Sequence, residues 1–255
     1  MKKTFAVSLL LVLPLALAFF GLISVKAENP LEGKIIALDA GHGSSESDTG
    51  AVNQKYKVTE ADVNWDVVQA LQSKLIASST YVVIADRLST RRDRVNDAVA
   101  KCAAVDVNGD GVADNKKCDA LVSVHHNGSS DPTHDGTLTI YTQKSDEPLA
   151  KTLLDSLVPL TGKNEGLLKG GYGMTVYKNL VSAITEAYYI TNDCEAELYL
   201  YSKGQLQLTE ISQGCEESGY PLENRIDHEA QLQLEGLYNY FNFSAPPEKP
   251  GKRPK

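Results

Sequence analysis

The chain has 255 residues, a hydrophobic share of 42%, a charged share of 23% and a formal net charge of −8. These are the proportions of a globular protein with a full core, in one large domain or two small ones. The acidic balance excludes a nucleic-acid partner, because the one basic cluster is the short tail "KPGKRPK".

Residues 1–27 differ from the rest. Lys2 and Lys3 precede an apolar run from about Phe5 to Val25, followed by the small-x-small site Val25-Lys26-Ala27. This reads as a secretory signal peptide. The run also approaches bilayer-spanning length, so an uncleaved N-terminal anchor is the alternative and would be the only membrane contact. The mature protein is expected outside the cytoplasm, in the periplasm, the medium or the cell wall. Four cysteines fit an oxidising compartment. Three pairings are open, and the local one, Cys102 with Cys118 and Cys194 with Cys215, is expected because each bond would staple an apparent insertion.

Strands and helices then alternate. "KIIALDA" (34–40) is a β-branched run and predicts a strand. "TEADVNWDVVQALQSKLIAS" predicts a helix with Val63, Val67, Leu71 and Leu75 inward and Thr59 and Asp62 as its capping pair. "YVVIAD" (81–86) is a strand, and "TRRDRVNDAVAKCAA" a helix with Val95, Ala98, Val99 and Cys102 inward. "DALVSVHHN" (119–127) and "GTLTIYT" (136–142) are strands, with a helix from about Glu147 to Leu160. "LVSAITEAYYI" (180–190) is a further buried strand. A last helix over about 223–241 lines up Ile226, Ala230, Leu234, Leu237, Tyr238 and Phe241. Alternation of this kind predicts an α/β single domain over 34–242, a mostly parallel twisted sheet with helices on both faces. Residues 243–255 have the composition of a disordered tail. A monomer is expected.

Ligands of such sheets collect beyond the carboxyl ends of the strands. His42, His125 and Glu186 all fall at or near predicted strand ends, and Glu60 opens the first helix. Three ligands drawn from His and Glu suit a catalytic zinc site. No nucleophile-elbow serine supplies a competing triad. Glu186 stands alone in an apolar run, where a carboxylate is costly unless paired, metal-bound or protonated.

These segments together resemble the zinc-dependent N-acetylmuramoyl-L-alanine amidases. "LDAGHG" with "DTGAV", "TEADVNWDVVQAL", "ADRLSTRRDRVNDA", "LVSVHHNGS" and "AITEAYYITN" are similar to that family's motifs in order and spacing, over about 34–242. The resemblance implies one catalytic zinc per chain on His42, Glu60 and His125, with Glu186 as the catalytic carboxylate and peptidoglycan or a muropeptide as substrate. His126 falls where the family has a small residue and reads as a neighbour, not a ligand. Asn127 and Arg87 are substrate-contact candidates, and Arg94 also matches a family arginine. The alternatives are a catalytically silent relative that binds the wall or a division partner, and another zinc amide hydrolase such as a carboxypeptidase.

Three stretches depart from the family pattern. The turn after the first strand has Ala40 where the family has proline and a longer "SSESD" before Thr49, which should adjust the loop and leave the ligand alone. The insertion "CAAVDVNGDGVADNKKC" (102–118) carries the start of a calcium-binding loop, with Asp106, Asn108, Asp110, the carbonyl of Val112 and Asp114 at alternate positions. Lys117 stands where the bidentate glutamate belongs, which counts against calcium unless a nearby carboxylate such as Asp119 substitutes; a calcium here would be structural, and the alternative is an acidic, solvated turn held by Cys102–Cys118. The stretch "SKGQLQLTEISQGCEESGYP" (202–221) exceeds what the family core needs.

Overall fold

The computed structural model describes residues 29–244 except 178, 218 and 221. The leader and the tail beyond 244 lie outside the described residues. In chain order the elements are β1 (Ile35–Ala40), β2 (Val52–Asn53), β3 (Val58–Thr59), α1 (Glu60–Ala77), β4 (Tyr81–Ile84), α2 (Arg91–Ala103), β5 (Ala120–Asn127) and β6 (Thr137–Tyr141). They continue with α3 (Glu147–Leu157), β7 (Asn164–Lys169), β8 (Ser182–Tyr189), α4 (Asp193–Ser202), α5 (Gln213–Glu217) and α6 (Arg225–Ser244). The main sheet runs β4-β1-β5-β8-β6-β7, and β2 with β3 makes a small separate hairpin. Its pairings are parallel except for β6 with β8. The expected single α/β domain is the observed one. No helix among the described residues is long and apolar enough to cross a membrane.

Period-two alternation assigns the faces. Ile36, Leu38 and Ala40 of β1 face the larger core layer with α1, α3 and α6, while Ile35 and Ala37 face the smaller layer with α2. Both faces are covered, which is why β1 reads as an unbroken apolar run. On α1, Val63, Val67, Leu71 and Leu75 are fully buried, each contributing on the order of 1.5–3 kcal/mol. The hydroxyl of Thr59, which has extended backbone, accepts from the Asp62 amide at 3.2 Å and donates to its carboxylate at 2.6 Å, so the helix starts where the capping pair predicts.

Cys102–Cys118 and Cys194–Cys215 are the disulfides, as the local pairing predicts. Inside the first, the carboxylate of Asp106 accepts from the amides of Gly109 and Gly111, Asn108 Oδ1 from that of Asp110, and Asp114 Oδ2 from those of Val107 and Asn108. The insertion is thus a turn whose side-chain oxygens cap its own backbone.

Five elements escape the sequence pattern: the hairpin strands β2 and β3, the strand β7 and the helices α4 and α5. β7 is an edge strand with exposed ends, and its Gly166 has positive φ (94°). The buried faces of α4 include Glu195 and Glu197, which erases the apolar period. The final helix runs on to Ser244, so residues 243 and 244 belong to it and not to the tail. Its Tyr238 is exposed, whereas Arg225, Glu229 and Gln233, four residues apart, are fully buried.

Candidate metal centre

Parity along β5 separates its two histidines. Ala120, Val122 and Val124 point into the larger layer, and His126 follows them. Leu121 points to the α2 side, with Ser123 and His125 in step. His125 pairs in register with Glu186 of β8, and the register shifts between His125 and Asn127. Such irregularities re-aim side chains at strand ends.

His42 lies two residues beyond β1, at the same end of the parallel strands. It carries a positive φ of 60°, a conformation costing a non-glycine residue on the order of 1–3 kcal/mol. Two guanidinium groups hold its carbonyl: Arg87 Nε donates at 3.0 Å and Arg94 Nη2 at 2.8 Å. Arg94 further donates from Nη1 to Asp39 at 3.1 Å and to the carbonyl of Ala40 at 2.8 Å. Arg87 also donates to the carbonyl of Ala61 at 2.7 Å. Both arginines are clamps on the turn. The Asn127 side chain accepts from the amide of Gly128, and neither Asn127 nor Arg87 lines the cleft described below.

Among the described residues, His42, Glu60 and His125 bring ligand-type atoms within 4.8 Å of one another. His42 Nδ1 bonds Asp48 at 2.8 Å, which leaves Nε2 facing Glu60 at 3.4 Å. Glu60 Oε1 lies 2.8 Å from His125 Nδ1, and Glu60 Oε2 accepts from the amide of Ala51 at 2.8 Å. Burial opposes the Glu60 anion, but the bond from His125 and the charges of His125 and His42 outweigh it and hold the carboxyl at about 2. Burial also opposes the His125 cation, and Glu60 and Glu186 overcome it, moving its pKa upward. Asp48 is held well below the usual carboxylate range: burial works the other way, and its bonds to His42 and Ser44 win. Two glycines make room. A side chain at Gly41 would collide with the His125 ring, and one at Gly50, whose φ is +65°, with Glu60 and His42.

Glu186 is different. Burial pushes its pKa up to about 7, the charge of Glu60 adds to this, and His125 and His126 pull against it. Its Oε2 is buried with no hydrogen-bond partner among the described residues. A buried carboxyl oxygen with nothing to bond, beside two histidines and a glutamate, is arranged for a ligand or a reacting group.

Sequence reasoning missed Asp48 and the buried partners of His126. Asn64 Nδ2 donates to the carbonyl of Gly41 at 2.9 Å, so its Oδ1, 2.7 Å from His126 Nδ1, must accept from that ring. His126 Nε2 lies 2.8 Å from Glu229 Oε2 on α6, and Gln233 donates to Glu229 Oε1 at 2.8 Å. Asn64 and Glu60 share one helix face at i and i+4, which is the signal that could have found the first of these.

Comparison with known proteins gives the family. The N-acetylmuramoyl-L-alanine amidase family profile matches residues 36–216. The chain belongs to that family. The amidase LytC of Bacillus subtilis is 25% identical over 182 residues, covering 68% of this chain and 33% of LytC, so the chain spans about a third of that relative. Among solved structures, an N-acetylmuramoyl-L-alanine amidase from Clostridium difficile 630 superposes with a TM-score of 0.60 at 20% identity, over 83% of this chain and 98% of that one. The amidase AmiC2 of Nostoc punctiforme gives 0.59 at 19% identity, over 82% and 98%. At these identities the structures bear on the fold.

Proposed function

We propose that the protein is an exported zinc amidase that cuts the bond between the lactyl group of N-acetylmuramic acid and L-alanine of the peptide stem. The observation that carries this reading is the His42–Glu60–His125 trio with the unpartnered Glu186 oxygen beside it. Two histidines that line the cleft and one carboxylate behind them are a donor set that fits catalytic zinc. When bound there, zinc supplies Lewis acidity, polarising a carbonyl and acidifying water.

The chain's own groups do the rest. Asp48 fixes the orientation of His42 and leaves Nε2 free to ligate. Glu186 Oε2 takes a proton from the attacking water and hands it to the alanine nitrogen as the carbon–nitrogen bond breaks. Burial favours the protonated form of this carboxyl, which suits it to taking up a proton and passing it on. Export is supported by two disulfides.

Digestion of purified peptidoglycan, read by mass spectrometry, tests the reading. The expected products are stem peptides beginning at L-alanine, lost on chelation and restored by zinc. Peptides shortened from their carboxyl end would indicate a carboxypeptidase. Wall binding without products would indicate a silent relative. A second experiment addresses His42. Asp48→Asn is expected to weaken zinc about 10–100-fold in competition with a chromophoric chelator, because a histidine ligand loses its orienting carboxylate. Unchanged affinity would remove Asp48 from the site.

A further inference from the structure

A cleft of about 750 Å³ opens beside the trio, running along the start of α2 to the turn at 173–176 and Tyr177. Its three carboxylates are already engaged. Asp39 accepts from Arg94 and Ser123, Asp48 bonds His42 and Ser44, and the Asp93 carboxylate accepts from the hydroxyl of Thr90. Arg94 is spent on the His42 turn. Arg91 and Arg92 are exposed, line the same cleft and have no acidic partner among the described residues. The Arg92 guanidinium sits over the Tyr177 ring, 5.5 Å from its centroid. Stacking of that kind limits its orientations and presents its planar donor edge to whatever enters.

Their placement is not explained by the helix. Thr90 caps α2, and Arg91 and Arg92 are its first two residues. Cations there oppose the helix dipole, which favours acids in the first turn. Two arginines in an unfavourable position, lining the cleft that His42 and His125 also line, suit an anionic part of the substrate.

We propose that Arg91 and Arg92 bind a carboxylate of the stem peptide, so that the enzyme selects stems with a free carboxylate over stems carrying a carboxamide. The inference rests on the amidase reading. Two positions could supply the group: the α-carboxylate of a glutamate linked through its side chain at the second stem residue, or the free carboxylate of a diamino acid at the third. Bidentate pairing with guanidinium would recognise either.

The test measures kcat and KM on four soluble muropeptides: free acid, amidated at residue two, amidated at residue three, and amidated at both. For the wild type, KM is expected to rise about tenfold or more when the recognised carboxylate becomes an amide, and the single-amide arms tell which position it is. Arg92→Gln, and more so Arg91→Gln with Arg92→Gln, should raise KM on the free acid by a similar factor and erase the preference. Arg92→Lys should restore part of it. Melting temperature should not fall in these variants, which separates the role from a structural one. Equal KM for all four muropeptides, with all four cleaved, would overturn the inference and leave the amidase reading standing. If none is cleaved, their binding to the wild type is measured by calorimetry: absence of binding overturns both readings, and binding indifferent to amidation overturns this one.

Discussion

Glu186→Gln folds as the wild type does and binds zinc, but releases stem peptides about 10²–10⁴-fold more slowly. The substitution keeps shape and volume while removing the group that takes and returns the proton. Among the described residues, the other carboxyls near the trio are committed elsewhere, Asp39 to Arg94 and Ser123. The Glu60 carboxyl is held at about 2 and bonds His125 and the amide of Ala51, so it is a poor proton acceptor at neutral pH. Asp48 is lower still, and is tied to His42 and Ser44. The measurement is single-turnover hydrolysis of a soluble muropeptide beside a zinc titration of the same preparation. A rate within threefold of the wild type would remove Glu186 from the chemistry.

Arg94→Met is expected to destabilise the protein by about 3–5 kcal/mol, because Asp39 is left as an uncompensated buried charge. The pair is buried, with Arg94 5% and Asp39 1% exposed, and the hydroxyl of Ser123 at 2.6 Å would be the remaining side-chain partner of Asp39. Against a typical stability of 5–15 kcal/mol this is a large fraction, lowering the melting temperature by roughly 6–20 °C. Arg94→Met with Asp39→Leu separates two consequences. Folding stability should largely return, since an apolar pair can replace a buried ion pair. Zinc affinity should not, since the carbonyl of His42 has still lost one of its two guanidinium donors and its strained φ is less firmly held. Full recovery of both would mean that Arg94 serves stability alone.

The regular parts of this fold are legible from residue pattern. Strand β1 and helices α1 and α2 declare themselves by apolar spacing and by Thr59 and Thr90 as caps. The trio is legible because its members sit at strand ends or at a helix start, and strand parity alone would sort His125 from His126. What hides is polar burial. Glu195 and Glu197 on α4, and Arg225, Glu229 and Gln233 on α6, interrupt the apolar period of faces that are nonetheless inside, since each of these groups is ion-paired or hydrogen-bonded there. The arginines of "STRRDR" hide for another reason. Three of them lie within four residues, and the turn before α2 decides that Arg94 reaches back to His42 while Arg91 and Arg92 meet the cleft. Arg87, singled out from its motif, is committed to backbone carbonyls.

The link from His126 to Glu229 alters where the folded unit ends. The stretch that similarity marks out closes at residue 216, yet Glu229 and Gln233 lie beyond it and complete the shell that steadies Asn64 behind the turn before His42. A fragment trimmed to the family border would strand a buried histidine against an open groove and bare the apolar side of α1 and α3. Function and homology therefore draw different boundaries on this chain, and the working unit extends through the last helix.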